Sequence, residues 1–182
     1  MAILSFAYIS CQTVPFSSMK IDVVNYEKLT ADQRQQLALL EILPEQLPYS
    51  GDIYCALNTL RVKPSPDIEG FILLRDEQPI GFLMLRRGSA LPDWAAEGSA
   101  TMHALQIDRH VQGQGLGKAF LQGLHKSVRE WWPDIEQIML SVDADNLPAF
   151  NLYLGQGWVD TGVAYKGRVG YERRLSIRLQ TL

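Results

Sequence analysis

The stretch VQGQGLGKAFL, residues 111–121, limits what this chain can fold into more than any other. Gly113, Gly115 and Gly117 alternate with other residues, and closely spaced glycines let a backbone turn through conformations closed to residues with a Cβ. Before them SATMHALQI reads as a strand, with His103, Leu105 and Ile107 at alternate positions and so expected on one sheet face. After them Leu116, Phe120, Leu124 and Val128 recur at helical spacing up to Trp131, and Pro133 stops the pattern. The free N–H groups and dipole at the start of such a helix favour an anion, and Lys118 adds charge. The physical reading is a loop that holds a pyrophosphate, its owner unspecified; the bland alternative is a plain glycine turn.

Two common nucleotide loops do not fit. A P-loop, counted back from Gly117 and Lys118, would put Gln112 at its first glycine and Ala119 where a hydroxyl should bind metal. A dinucleotide fingerprint starting at Gly113 and Gly115 would require glycine where Lys118 stands.

The chain has 182 residues, 47% hydrophobic and 20% charged, with a net charge of −3. Those values predict one soluble globular domain and give no electrostatic reason to expect nucleic acid. Cys11 and Cys55 have no metal-ligand spacing and form no disulfide framework, so no metal is expected and a reducing cytoplasm fits best. No apolar run approaches the roughly 18 residues that span a bilayer, so no membrane association is expected. Residues 1–18 precede Met19 and the strand KIDVVNY; they read as an extension outside the core, with the domain proper at 19–182. A chain starting at Met19 is expected to fold.

Elsewhere Thr30 caps a helix over ADQRQQLALLEIL that Pro44 and Pro48 interrupt, and a second helix covers about Ile53 to Leu60. GFILLRD and IGFLMLRRG form a hairpin around a turn at Glu77, Gln78 and Pro79. IMLSVDA is a strand, and Asn146 or Asp145 caps the short helix LPAFNLYL, with Pro148 in its first turn. Strands near WVDTGVA and YERRLSIRL end the chain. The fold class is mixed α/β (α+β), with about seven strands and about four helices.

Residues 105–121 resemble the acetyl-CoA signature of the GNAT superfamily of N-acetyltransferases, [QR]-x-x-G-x-[GA], met by Gln112, Gly115 and Gly117. LSVDADNLPAFNLYLGQGW resembles that family's second motif, with Asn146, Ala149, Tyr153, Gly157 and Trp158 at its positions. The resemblance implies a GNAT fold whose two central strands splay apart, and a direct transfer of acetyl from acetyl-CoA to a primary amine in a ternary complex. It implies that the backbone of Leu105, Gln106 and Ile107 pairs with the pantetheine arm. Amides of Gln112, Gly113, Gln114, Gly115, Leu116, Gly117 and Lys118 would hold the pyrophosphate, and Asn146 would reach it from the second strand. Asn146 as a helix cap is compatible with this.

Tyr153 is the family's usual general acid, although its i, i+4 relation to Ala149 also suits simple packing. His103 is the first choice of base, since its unperturbed pKa of about 6.5 matches neutral pH. HALQIDR resembles the corresponding strand of arylalkylamine N-acetyltransferases, but Thr101 stands where those enzymes have a second histidine. Enzymes acting on protein N-termini carry a glutamate where this chain has Ser141, which leaves Asp143, Glu97 or water as substitutes. Glu45, Asp52, Asp93 and Glu97 could hold an ammonium group, and Tyr49, Tyr54, Trp94 or Tyr165 could line an aromatic acceptor site. Cys55 lacks a motif, which disfavours a covalent acetyl-enzyme. The acceptor read here is a small-molecule amine. The alternatives are a protein or peptide N-terminus or lysine and, from another class, a CoA-binding sensor without turnover. A homodimer paired through the last strands is expected by analogy.

Overall fold

Alternating apolar residues in seven segments line up as one mixed sheet in the order β1-β2-β3-β4-β5-β7-β6. The computed structural model describes residues 19–62, 64–168 and 170–179; the extension at 1–18, Cys11 included, lies outside the described residues. The strands are β1 Ile21–Asn25, β2 Ile68–Arg75, β3 Gln78–Arg86, β4 Ala100–Ile107, β5 Gln137–Asp143, β6 Val159–Lys166 and β7 Tyr171–Arg178. The helices are α1 Ala31–Leu37, the single turn α2 Leu47–Ser50, α3 Ile53–Val62, α4 Leu116–Trp131 and α5 Leu147–Gly155. Neighbouring strands are antiparallel except β4 and β5, which run parallel because α4 carries the chain back between them.

The sheet has a core on each face. On one, Phe120, Leu121, Leu124 and Val128 of α4 pack on Leu83, Leu85, Met102 and Leu140. On the other, Leu37, Ile53, Ala56 and Leu57 cover Ile72, Leu74, Phe82 and Met84. The close approach of α4 to β1 depends on Gly123: a Cβ there would come within 2.5 Å of Val23 Cγ2. Beside it the Ser127 hydroxyl donates to the Val23 carbonyl at 2.8 Å. Gly123→Ala is therefore expected to destabilise the fold by about 1–3 kcal/mol through overpacking, more than the roughly 1 kcal/mol gained in helix propensity. Urea unfolding measures the difference.

Local signals explain most element ends. Thr30 and Gln33 form a reciprocal capping box for α1. Asn146 caps α5 by accepting the Ala149 N–H at 3.3 Å, with Pro148 in the first turn. Two expectations shift. Helix α1 ends at Leu37 instead of continuing toward Leu43, because the backbone of Glu41 is drawn to the loop after β4: its carbonyl accepts from Arg109 N–H at 2.7 Å and its N–H donates to Asp108 at 3.3 Å. The hairpin turn is Asp76–Glu77, with φ of 49° and 68°, and not Glu77 to Pro79. Pro79 enters β3 beside a register shift, where a missing N–H is tolerated.

Candidate active site

The central strands pair over only three positions, from Ala100↔Ile138 to Met102↔Leu140. Beyond them β4 stays with β3 and β5 stays with β7, so a gap opens between the two. The polarity of β4 also changes there. Phe82 faces Gln106 and Met84 faces His103, so Ala104 and Leu105 of β4 together oppose Leu83 of β3, and Ala104 takes a φ of 53° to absorb the extra residue.

This bulge corrects the expectation of one shared face. His103, opposite Met84, and Gln106, opposite Phe82, lie on the face covered by α1 and α3. Leu105 and Ile107 pack with the core beneath α4. Strict alternation fails because the bulge shifts the register by one residue. The buried Gln106 amide donates to the carbonyls of Ser50 and Gly51, at 3.3 and 2.9 Å, and so ties β4 to the end of α2.

The glycine loop closes one end of the gap. Gly113 and Gly115 have φ of 77° and 76°, in the left-handed region, and Gly115 precedes α4. Ala119 N–H bonds to the Gly115 carbonyl at 3.1 Å. Among the described residues no protein acceptor meets the N–H groups from Gly113 to Lys118. The Gln112 side chain braces the loop by donating to the Ile107 carbonyl at 2.8 Å and to Gln46 at 3.0 Å. A cavity of about 470 Å³ lies along this loop, lined by Leu105, Gln106, Ile107, Gln112, Gly113, Gly115, Leu116, Gly117, Lys118 and Asn146. Gln114 is the one expected loop residue outside that lining; its side chain accepts from Arg75 at 3.1 Å. Alanine at Gly115 would strain the backbone by about 1–2 kcal/mol. With CoA at this loop, as the sequence resemblance implies, Gly115→Ala is expected to weaken its binding about tenfold while keeping the fold, read by calorimetry and circular dichroism.

A second cavity of about 450 Å³ shares Tyr49, Ser50, Leu105, Asn146 and Ala149 with the first and holds both His103 and Tyr153 on its walls. Tyr153 is only 7% exposed and its ring tilts on Trp158 at 5.6 Å. Burial pushes its pKa well above the usual phenol value, so Oη keeps its proton at any working pH. His103 moves the other way. Burial, and then the positive charge of Arg86, lower its pKa to about 4, so the imidazole is neutral at pH 7. His103 Nε2 lies 2.8 Å from the Thr101 hydroxyl.

Of the expected acceptor residues, Tyr49, Asp52 and Trp94 line this cavity, whereas Glu45, Tyr54, Asp93, Glu97 and Tyr165 do not. Arg86, Arg168, Cys55 and Asp143 also line it. Cys55 thus sits on the wall without a sequence motif to announce it. Asp52 raises its pKa by hydrogen bond and charge, so it remains a thiol rather than a nucleophilic thiolate. Ser141, at the position read as lacking basicity, donates to Glu172 on β7. Desolvation, and then Glu172, raise the pKa of Asp143 nearby.

A strand pair that parts beside a helix-capping glycine loop and a buried tyrosine is the geometry that the two sequence motifs implied. The model of the acetyltransferase (GNAT) family matches residues 37–158. The chain belongs to that family. It is therefore a GNAT enzyme, one that transfers acyl groups. A probable spermine N(1)-acetyltransferase of Bacillus subtilis subsp. natto (strain BEST195) is 26% identical over 139 residues, 76% of this chain and 90% of the relative. The GNAT fold is shared with an aminoglycoside acetyltransferase solved in complex with coenzyme A, at a TM-score of 0.68 and 15% identity over 87% of this chain and 95% of that one. It is shared too with a spermidine N-acetyltransferase from Vibrio cholerae in complex with CoA and spermine, at a TM-score of 0.63 and 17% identity over 87% and 95% of the two chains. Among the described residues of this GNAT chain no helix is long and apolar enough to cross a membrane, and no group of three or more His, Cys, Asp or Glu could hold a metal ion.

Proposed function

We propose that this enzyme moves an acetyl group from acetyl-CoA to the primary amine of a small molecule, by direct attack in a ternary complex. The observation that carries this reading is a pair of cavities along β4 that share wall residues, one lined by the donor loop and the other by both Tyr153 and His103. The names of the relatives, which include a spermine and a spermidine acetyltransferase, support an amine acceptor.

The residues present suit the cosubstrate. The amides from Gly113 to Lys118 and the Lys118 ammonium would hold its diphosphate, since donors without protein partners at a helix start favour an anion. Main-chain groups of Leu105 to Ile107 would pair with the arm in the gap beside β4. Asn146 uses its carbonyl on Ala149 and keeps its amide as a donor toward the same cavity. Bound acetyl-CoA would supply an activated thioester.

In this reading His103 takes the proton that the amine loses as its nitrogen bonds to the acetyl carbon. This role needs the tautomer in which Nε2–H donates to Thr101, 2.8 Å away, and Nδ1 carries the accepting lone pair. Tyr153 gives its proton to the sulfur as the carbon–sulfur bond breaks. The same burial that makes the phenol a weaker acid also raises the proton affinity of a departing thiolate, so donor and acceptor shift together.

The test is release of free CoA from acetyl-CoA with panels of arylalkylamines, polyamines, amino acids and peptides. Turnover of small amines is the expected result. Turnover of peptides alone would move the acceptor to a protein, and CoA binding without turnover of any amine would make the chain a sensor.

A further inference from the structure

Three arginines near the sheet ends have a carboxylate partner: Arg87 with Asp67 and Asp134, Arg109 with Glu41, Arg173 with Asp160. Arg86, next to one of them, does not. It ends β3 opposite Thr101, on the sheet face that carries Met84 and His103, and it is half-buried on the wall of the His103 cavity. Its Nε is buried without a hydrogen-bond partner, and among the described residues no carboxylate lies within ion-pair distance of its guanidinium. A half-desolvated cation without a counter-ion is costly unless something bound supplies the charge.

The rest of the cavity narrows what that could be. Asp52 and Asp143 supply negative charge on other walls, Arg168 supplies a second cation at the rim, and Trp94 and Tyr49 supply flat aromatic surface. Arg174 stacks on Trp94 at 4.9 Å and on Tyr165 at 3.5 Å, which adds positive charge behind the Trp94 wall. A polyamine, cationic along its whole length, would put like charge against Arg86. A molecule with both an ammonium group and an anion would satisfy both kinds of wall.

We propose that the acceptor is an amine that also bears a carboxylate, a free amino acid in its simplest form, with the carboxylate received by Arg86 and the amine directed toward His103 and Tyr153. This rests on the acetyltransferase reading above and names its substrate class. A guanidinium receives a carboxylate through two parallel N–H bonds, which an amide or a second ammonium group cannot reproduce. Neutralising Arg86 also removes the smaller of the two influences that depress the His103 pKa, so the substrate itself would make the base stronger.

The experiment measures CoA release by the full chain with the twenty amino acids, the twenty matching amino-acid amides and spermine, for the wild type, Arg86→Gln and Arg86→Lys. CoA affinity by calorimetry runs alongside as a check on folding and on the cosubstrate site. For the preferred amino acid, kcat/KM is expected to exceed that of its amide at least thirtyfold. Arg86→Gln should bring that ratio near one, and Arg86→Lys should restore part of it, with CoA affinity unchanged in both. Amides or spermine turned over as well as any amino acid, or an acid-to-amide ratio that Arg86→Gln does not lower, would overturn the assignment. CoA binding with no turnover of any amine would overturn it while leaving the cosubstrate site standing. A wild-type chain that does not bind CoA would overturn the acetyltransferase reading, and the acceptor assignment with it.

Discussion

Tyr153→Phe is expected to lower kcat by about 100- to 10,000-fold, the range typical of losing a positioned general acid, while the KM for acetyl-CoA changes less than about threefold. The asymmetry follows from what the substitution keeps. Phenylalanine preserves the ring that packs on Trp158 and faces the core beneath α4, so both the fold and the cavity wall survive. Only the buried hydroxyl is lost. Because burial holds the phenol pKa above its ordinary value, no pH limb below about 10 should belong to Tyr153 in the wild type. Steady-state kinetics across pH measures both effects. A fall in kcat of less than threefold would make Tyr153 a packing residue.

The second large effect concerns His103. With its pKa lowered from 6.5 to about 4, the folded protein keeps this imidazole neutral where the unfolded chain would protonate it. Above about pH 6.5 neither state binds the proton and His103 leaves stability unchanged. As the pH falls from 6.5 to 4, the unfolded state takes up the proton and the folded state does not, so stability declines by up to about 3 kcal/mol. His103→Gln should remove most of that decline, visible as a flatter dependence of urea midpoint on pH between those limits. The same substitution should reduce kcat at least tenfold. In the wild type, kcat/KM for the acceptor reports the acceptor-free enzyme, so its histidine limb should lie near pH 4, not near the ordinary imidazole value. A limb near 6.5 that disappears in His103→Gln would show the imidazole to be far better solvated than its surroundings imply.

Where local signals were strong, sequence and structure coincide. The spacing of Leu116, Phe120, Leu124 and Val128 marks α4 to the residue, and Thr30 and Asn146 announce the caps that open α1 and α5. The glycine loop was legible because left-handed backbone at Gly113 and Gly115 has few alternatives to glycine. The bulge at Ala104 was not legible, since alanine carries no turn signal and only pairing with β3 forces its φ positive. The early end of α1 escaped for a similar reason: Glu41 is claimed by Asp108 and Arg109, far away in sequence. The wall of the His103 cavity was the least readable part. Arg86 lies in a strand between ordinary neighbours, and Cys55 and Arg168 meet it only through the fold. A histidine in a strand suggested a base, but the burial that lowers its pKa belongs to tertiary packing.

A crystal structure with CoA tests the central claim most directly. The diphosphate is expected within hydrogen-bonding distance of the amides between Gly113 and Lys118, the arm in the gap between β4 and β5, and the sulfur within reach of Tyr153 Oη. A nucleotide bound with its diphosphate away from this loop, or a sulfur pointing away from Tyr153, would contradict it.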